Sequence, residues 1–162
     1  MSKLFNYGGI NMVYVHIGSK KFNKKKFETV ENFPFKPIGG FWCSPFYCKT
    51  SWLNYLTHEF LLSNAKDRRR IIKKLNKFFI FKINDNAKIY HIYSKEDVDR
   101  IPRCSDIYNP EISVFDFEKM IKEGYDGVEL HISSNEDVLS YEMCHWNVDS
   151  LLIFNPEIIE VI

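Results

Sequence analysis

The chain has 162 residues, of which 45% are hydrophobic and 27% charged, proportions ordinary for a single soluble globular domain spanning 1–162. No apolar run approaches the roughly 18–20 residues of a membrane span, and residues 1–11 lack the apolar segment of a signal peptide, so we expect a cytoplasmic protein with no membrane partner. The net charge is only +1, but residues 1–77 carry 15 Lys and Arg against 4 Asp and Glu, and residues 78–162 carry 7 against 17. This asymmetry favours an anionic partner for the first half, such as nucleic acid or a phosphorylated cofactor, unless the two halves attract each other within the fold.

The first half of the chain predicts two short strands and then a helical region. Residues 12–18, MVYVHIG, are rich in β-branched and aromatic residues, which is typical of a strand. The adjacent Gly39 and Gly40 lead into a second strand, FWCS, and indicate either a tight turn or a point where a ligand approaches the backbone. From Thr50 to Lys77 apolar residues recur at three- and four-residue steps, which predicts helix.

The second half predicts strands with two short helices between them. The predicted strands are residues 78–84, 88–93 and 125–133, with two more in 149–162. The first two of these strands are joined by a three-residue turn and would form a hairpin. Ser94 and Asp97 make a capping-box pattern at the start of one helix, and residues 113–123 predict an amphipathic helix closed by Gly124. The order of elements indicates an α+β fold rather than a doubly wound parallel sheet.

Neither the cysteine spacing nor the common catalytic motifs indicate a function. Cys43, Cys48, Cys104 and Cys144 contain no CxxC pair, so we predict reduced thiols and no metal site. The sequence also lacks a P-loop, GxGxxG, GxSxG or HExxH motif.

Three segments, in order along the chain, carry residue types found at functional sites. The first is HIGS at 16–19, at the end of a predicted strand. The second is GFWCS at 40–44, followed by SWLNY at 51–55. The third combines GYDGV at 124–128 with DSLLIFNPEII at 149–159. Together these segments resemble the motifs of the mono-ADP-ribosyltransferase and poly(ADP-ribose) polymerase superfamily.

The resemblance implies a fold and an activity. The expected fold is a single α+β domain with split antiparallel β-sheets around an NAD cleft. The expected activity is an NAD-dependent enzyme that transfers ADP-ribose to a macromolecular acceptor, either protein or nucleic acid, with NAD as co-substrate. Only two alanines occur among many Lys, Asn and Ile, which indicates an AT-rich genome and fits a toxin, a phage or viral effector, or a defence protein. Two alternatives stay open: a non-catalytic relative that binds a nucleotide or nucleic acid, and an interaction protein whose motifs arose by chance.

The resemblance also implies roles for individual residues. Cleavage of the nicotinamide–ribose bond develops positive charge on the sugar, so a nearby carboxylate stabilises the transition state. Asp149 takes this catalytic role by motif position, and Glu129 is its rival. His16 would hydrogen-bond the ribose hydroxyls, and an aromatic ring would stack on the nicotinamide. The residues implied in cofactor binding are His16, Ile17, Gly18, Ser19, Gly40, Trp42, Ser44, Trp52 and Tyr55.

Two positions depart from the family pattern. Ile17 stands where glycine is usual, and Asp149 stands where the best-known members have glutamate. Lys36 and the lysines of residues 20–26 would meet the pyrophosphate through charge. Each motif residue also has a structural alternative, since His16 could be a hydrogen-bonded strand histidine and Asp149 a turn residue.

Overall fold

A computed structural model describes residues 12–132, 143 and 145–162, and within them the α+β class is confirmed. The strands are β1 (Val13–Ile17), β2 (Phe41–Pro45), β3 (Phe78–Ile83), β4 (Ile89–Ile92), β5 (Arg103–Ser105), β6 (Ser113–Phe115), β7 (Gly127–Leu130), β8 (Ser150–Ile153) and β9 (Ile159–Val161). The helices are α1 (Trp52–Leu62), α2 (Ala65–Leu75), α3 (Lys95–Asp99) and α4 (Phe117–Lys122).

The main sheet is mixed and has seven strands among the described residues. Its strand order is β4-β7-β8-β2-β1-β3-β9, while β5 and β6 form a separate two-stranded sheet. All neighbours in the main sheet are antiparallel except β4 and β7, which run parallel. Where split antiparallel sheets were expected, the described residues therefore form one continuous mixed sheet and one small separate sheet. A parallel pair needs a long crossover, and the segment that holds α3, β5, β6 and α4 supplies it.

The main sheet is not flat, since its strand order requires it to curl. β3 and β4 follow each other in sequence but lie five strand positions apart, so the predicted hairpin is wrong. Residues 84–88 join them and can span at most about 22 Å, whereas five strand steps in a flat sheet need about 24 Å. The turn signal itself is present, since Ala87 N donates to the Asn84 carbonyl, but β4 pairs with β7 instead of folding back on β3.

Apolar side chains cover both faces of the curled sheet. Because side chains alternate along a strand, Leu151 and Ile153 of β8 point to one face and Leu152 to the other. The first face carries a cluster with Tyr14 and Phe81. The second face packs on α3, α4 and Trp146. We call the face that carries Leu151 the inner face, because Tyr14 on β1 reaches Glu129 on β7 across it.

The predicted helical regions form helices with shorter bounds. Residues 50–77 form α1 and α2, and α2 begins anew because the Asn64 side chain accepts hydrogen bonds from the backbone N–H groups of Lys66 and Asp67. Residues 113–123 begin as β6, and Asp116 then caps α4. The capping box of Ser94 with Asp97 is confirmed.

Candidate functional site

Polar side chains from β1, β4 and β7 converge on the inner face of the sheet. Glu129 lies in β7 and pairs in register with His91 of the parallel strand β4. His131 follows two residues after Glu129, so it projects to the same face. Tyr14 of β1 completes the group. We call these four residues the inner polar cluster.

The cluster is held by short contacts centred on Glu129, which is only 1% exposed. Glu129 Oε2 lies 3.2 Å from His91 Nδ1 and 3.5 Å from His131 Nε2, and these two nitrogens are 3.0 Å apart. The other carboxylate oxygen, Oε1, accepts a hydrogen bond from the Tyr14 hydroxyl at 3.1 Å. Both oxygens of the buried carboxylate are thus engaged, one by a phenol and one by two imidazoles.

Aromatic packing fixes the two imidazole rings. Tyr93 stacks on His131 with ring centroids 4.3 Å apart and planes 11° from parallel. It also stacks on His91, at 5.8 Å and 18°. The two histidines stack on each other at 5.3 Å. The two imidazole rings are therefore oriented by aromatic contacts as well as by their contacts with Glu129.

Burial sets the protonation of the groups around Glu129. Burial raises the pKa of Tyr14, and the nearby Glu129 charge raises it further. Burial, with the same carboxylate, also raises the pKa of the Cys43 thiol well above its usual value. Burial lowers the pKa of His131 by more than the neighbouring Glu129 charge raises it. At neutral pH Tyr14 and Cys43 therefore stay protonated and His131 is a neutral imidazole.

Asp149 lies beside the inner polar cluster, just before β8. It is 2% exposed, and its Oδ2 accepts a hydrogen bond from Cys48 Sγ at 2.9 Å. Burial and this hydrogen bond raise the pKa of the Cys48 thiol, which keeps it a donor. Because Asp149 precedes Leu151 by two residues and Leu151 pairs with Glu129, both predicted carboxylates lie on the inner face.

A pocket of about 450 Å³ lies beside His16. His16 Nδ1 lies 2.8 Å from the Trp42 carbonyl oxygen and donates to it, because a carbonyl only accepts. Burial lowers the pKa of His16, so the ring is neutral at pH 7 and its Nε2 is an acceptor. The residues lining the pocket include His16, Ser19, Gly40, Lys20, Lys21 and Lys26. Its apolar walls are Phe22, Phe27 and Phe41.

The structure divides the predicted cofactor-binding residues between two places. His16, Ser19 and Gly40 line the pocket, as do three of the predicted lysines. Trp42 lies elsewhere, 4.6 Å from Trp146 between ring centroids.

Trp42 and Trp52 instead surround the Lys36 ammonium, whose Nζ lies 4.3 Å and 5.9 Å from their ring centroids. Tyr55 packs edge-on against Trp52. Burial lowers the pKa of Lys36. These aromatic residues form a second group, apart from the residues that line the His16 pocket.

Other predicted residues have structural roles. Ser44 Oγ donates to the Asp149 carbonyl and accepts from Trp52 N, so it ties β2 to β8 and to the start of α1. Ile17 pairs with Phe78 at the end of β1, and Gly18 N donates to the Lys77 carbonyl.

The predicted carboxylates do not lie in the lysine-lined pocket. Along the strand order β7-β8-β2-β1, three strand steps separate Glu129 from His16, and two separate Asp149 at the start of β8 from His16.

The glycine pair before β2 is required by packing. Gly39 and Gly40 have φ of +74° and +64°. A Cβ on Gly39 would lie 2.2 Å from the Thr29 carbonyl oxygen, and a Cβ on Gly40 would lie 2.5 Å from Leu152 Cδ1. The turn is therefore a structural need, although Gly40 also borders the pocket.

Sequence reasoning missed most of the inner polar cluster. His91 and His131 lie 40 positions apart, and only the parallel β4–β7 pair brings them together. The signal available was a polar residue at alternate positions of two apolar strands, IYHIY and VELH. The prediction of no metal site considered only the cysteines, one of which, Cys144, lies outside the described residues.

Comparisons with protein-family models, with curated proteins and with solved structures find no match. Within the described ranges, no helix is long and apolar enough to cross a membrane.

Proposed function

We propose that this protein transfers ADP-ribose from NAD to a macromolecular acceptor, with the lysine-lined pocket beside His16 holding the phosphate-bearing part of NAD. The observation that carries the proposal is the make-up of this pocket. Three lysines meet three phenylalanines and a neutral histidine there, and none of the described residues that line it is acidic. A pyrophosphate needs cations, and a nucleoside needs apolar surface with a few polar groups, so the pocket suits both.

His16 is suited to bind a ribose hydroxyl. Its Nδ1–H is committed to the Trp42 carbonyl, which fixes the ring and leaves the Nε2 lone pair for a ligand. Stacking on Phe41, with centroids 4.4 Å apart, holds the ring against the β2 strand. A hydroxyl donor from a sugar is the group that a neutral imidazole nitrogen accepts.

The reaction requires a carboxylate near ribose C1′, and Asp149 and Glu129 of the inner face are the candidates. The bond between ribose C1′ and the nicotinamide nitrogen breaks, and neutral nicotinamide leaves with the bonding electron pair. The nucleophile of the acceptor forms the new bond to C1′ and loses its proton to a base or to solvent. Asp149 is assigned to stabilise the positive sugar because of its motif position, and Glu129 remains its rival.

The acceptor surface is proposed to include α2. This helix carries six basic residues and buries only Ile71 among its own residues. Exposed Arg and Lys on one helix attract phosphate backbones, so a nucleic acid is a suitable acceptor. A protein acceptor remains the alternative.

A second candidate function is nucleotide or nucleic-acid binding without catalysis. The observation in its favour is the separation between the His16 pocket and the two carboxylates, across two or three strand steps. It predicts NAD affinity without release of nicotinamide.

The test measures nicotinamide release from NAD and the transfer of labelled ADP-ribose to protein and nucleic acid fractions of a lysate. We expect Asp149→Asn to lower the rate of release by at least about 100-fold, the size of effect seen when one transition-state contact is removed. His16→Ala should weaken NAD binding. The double variant Lys20→Glu, Lys21→Glu should do the same, whereas the control Lys119→Glu, Lys122→Glu changes the same charge on α4 and should not.

Each outcome separates the candidates. Binding of NAD that depends on the pocket lysines, with no release, supports the non-catalytic binder. Nicotinamide release that persists in Asp149→Asn but is lost in Glu129→Gln would assign the catalytic carboxylate to Glu129 of β7. No binding and no release by folded protein would refute both candidates.

A further inference from the structure

The structure assigns a second site on the inner face: we propose that His91, Glu129 and His131 bind one divalent transition-metal ion, for which Zn²⁺ is the first probe. These are the residues that could hold a metal ion among those the structure describes. The inference goes beyond ADP-ribosyl transfer and does not depend on it.

The three ligand atoms lie at the distances expected around one metal ion. His91 Nδ1, His131 Nε2 and Glu129 Oε2 lie 3.0, 3.2 and 3.5 Å from one another. Zinc binds imidazole nitrogen and carboxylate oxygen at about 2.0–2.1 Å, and tetrahedral angles then place its ligands about 3.3–3.4 Å apart. The observed distances bracket this value. A point about 2.0–2.1 Å from all three atoms lies less than about 1 Å out of their plane, as in a tetrahedral site.

The three side chains also supply the donor atoms that a transition metal prefers. Two imidazole nitrogens and one carboxylate form a donor set that suits zinc and other first-row divalent ions. The carboxylate is deeply buried, and a bound cation would balance its charge. Without a metal, the three atoms can be held together only by imidazole N–H protons, which is the competing explanation.

Neighbouring side chains hold the three ligands in place. Glu129 Oε1 accepts from the Tyr14 hydroxyl, which leaves Oε2 to face the imidazoles. Tyr93 stacks on both rings and fixes their planes. Metal sites are commonly built with such outer contacts that orient the ligands.

The ligand group can be reached from solvent on the side of His91. The side chain of Glu129 is 2% exposed, that of His131 is 13% exposed, and that of His91 is 43% exposed. The three ligand atoms therefore lie at the boundary between the buried face and solvent. An ion there would have three protein ligands and a coordination position open to water or to an anionic ligand group, the arrangement typical of catalytic zinc sites.

The test is Zn²⁺ binding to the full chain after treatment with a chelator, measured by isothermal titration calorimetry and by competition with a chromophoric chelator. We expect one ion per chain and a melting temperature that rises with free Zn²⁺. Replacing one ligand, as in His91→Asn, His131→Asn or Glu129→Gln, should weaken binding by more than about 100-fold, since loss of a mere outer contact costs 10–100-fold. Tyr14→Phe, which removes only such a contact, should weaken it by about 10–100-fold.

Two control variants exclude other zinc ligands. His58→Ala removes an exposed histidine of α1, and Cys48→Ser removes the thiol beside Asp149. Both should keep the affinity of the parent protein. The cobalt complex provides a second measurement, since intense visible absorption marks four-coordinate Co²⁺ and should disappear in His91→Asn.

The proposal is wrong if Zn²⁺ fails to bind the folded protein stoichiometrically. It is equally wrong if Cys48→Ser abolishes binding while His91→Asn, a change at the half-exposed edge of the cluster, leaves it intact. Circular dichroism shows whether each variant is folded. Nicotinamide release is not measured in this test. A failure to bind zinc therefore leaves the ADP-ribosyl transfer proposal standing, and a failure to release nicotinamide leaves the zinc proposal standing.

Discussion

Replacing Gly40 by alanine tests whether the glycine pair before β2 serves packing or a ligand. Gly40 has φ +64°, a left-handed conformation that costs an alanine about 1–2 kcal/mol. The new Cβ would lie 2.5 Å from Leu152 Cδ1 and 2.7 Å from Val30 Cγ2. Both neighbours are buried, at 0% and 1% exposure, and cannot move freely. Overpacking of this kind costs about 1–3 kcal/mol. Alanine also lowers the conformational entropy of the unfolded chain, which stabilises the folded state by about 0.4–1 kcal/mol.

The net loss expected for Gly40→Ala is about 1–5 kcal/mol, with the middle of the ranges near about 3 kcal/mol, a large part of the 5–15 kcal/mol that stabilises a typical domain. Gly124→Ala is the matched control, since Gly124 also has a positive φ, +82°, but a Cβ there meets nothing within 4 Å. It should lose only about 1 kcal/mol. Urea unfolding followed by tryptophan fluorescence measures both. Equal losses in the two variants would refute the packing argument. A Gly40→Ala protein of normal stability that no longer binds NAD would show that the glycine serves the ligand.

Three further predictions concern stability. Because burial lowers the pKa of His131, the unfolded state takes up a proton at a higher pH than the folded state does. The free energy of unfolding should therefore fall below about pH 6.5, by up to about 1.4 kcal/mol per pH unit for this group. Urea titrations with chelator present should show a weaker pH dependence in His131→Gln, and an unchanged dependence would contradict the assignment. Phe81→Ala should cost about 3–5 kcal/mol, since Phe81 is 0% exposed in the inner-face cluster, and a loss under about 1 kcal/mol would mean that the cluster is loosely packed. Ser94→Ala should cost about 1 kcal/mol by removing the capping box of α3, whereas a neutral effect would show that the cap contributes nothing.

Local signals predicted local structure well. The β-branched and aromatic run at 12–18 became β1, and the Ser94 capping box became the start of α3, because each depends on neighbours within a few residues. The helical pattern from Thr50 to Lys77 became α1 and α2, and the break between them also has a local cause. Asn64 competes for the backbone and restarts the helix, and a three- and four-residue apolar repeat does not reveal that break.

Strand pairing could not be predicted in the same way. The turn at residues 85–87 has the composition of a hairpin loop, but β4 finds its partner in β7, after a crossover of more than 30 residues. Which strands pair depends on burial of both faces of the sheet, and the apolar pattern of β3 and β4 suits an antiparallel neighbour as well as a parallel one. The inner polar cluster was missed for this reason, since His91 meets Glu129 only through that pairing.

The same pairing bears on the competition between the two predicted carboxylates, Asp149 and Glu129. Motif position alone left Asp149 and Glu129 as rivals for one task, yet their surroundings differ. Glu129 is flanked by two imidazoles and a phenol, contacts that fit a carboxylate held as a ligand for a cation. Asp149 accepts from a thiol and lies two strand steps from His16 rather than three. A metal ion bound by Glu129 would balance the charge of that carboxylate, and we then propose Asp149 as the carboxylate that stabilises the developing positive charge on the sugar.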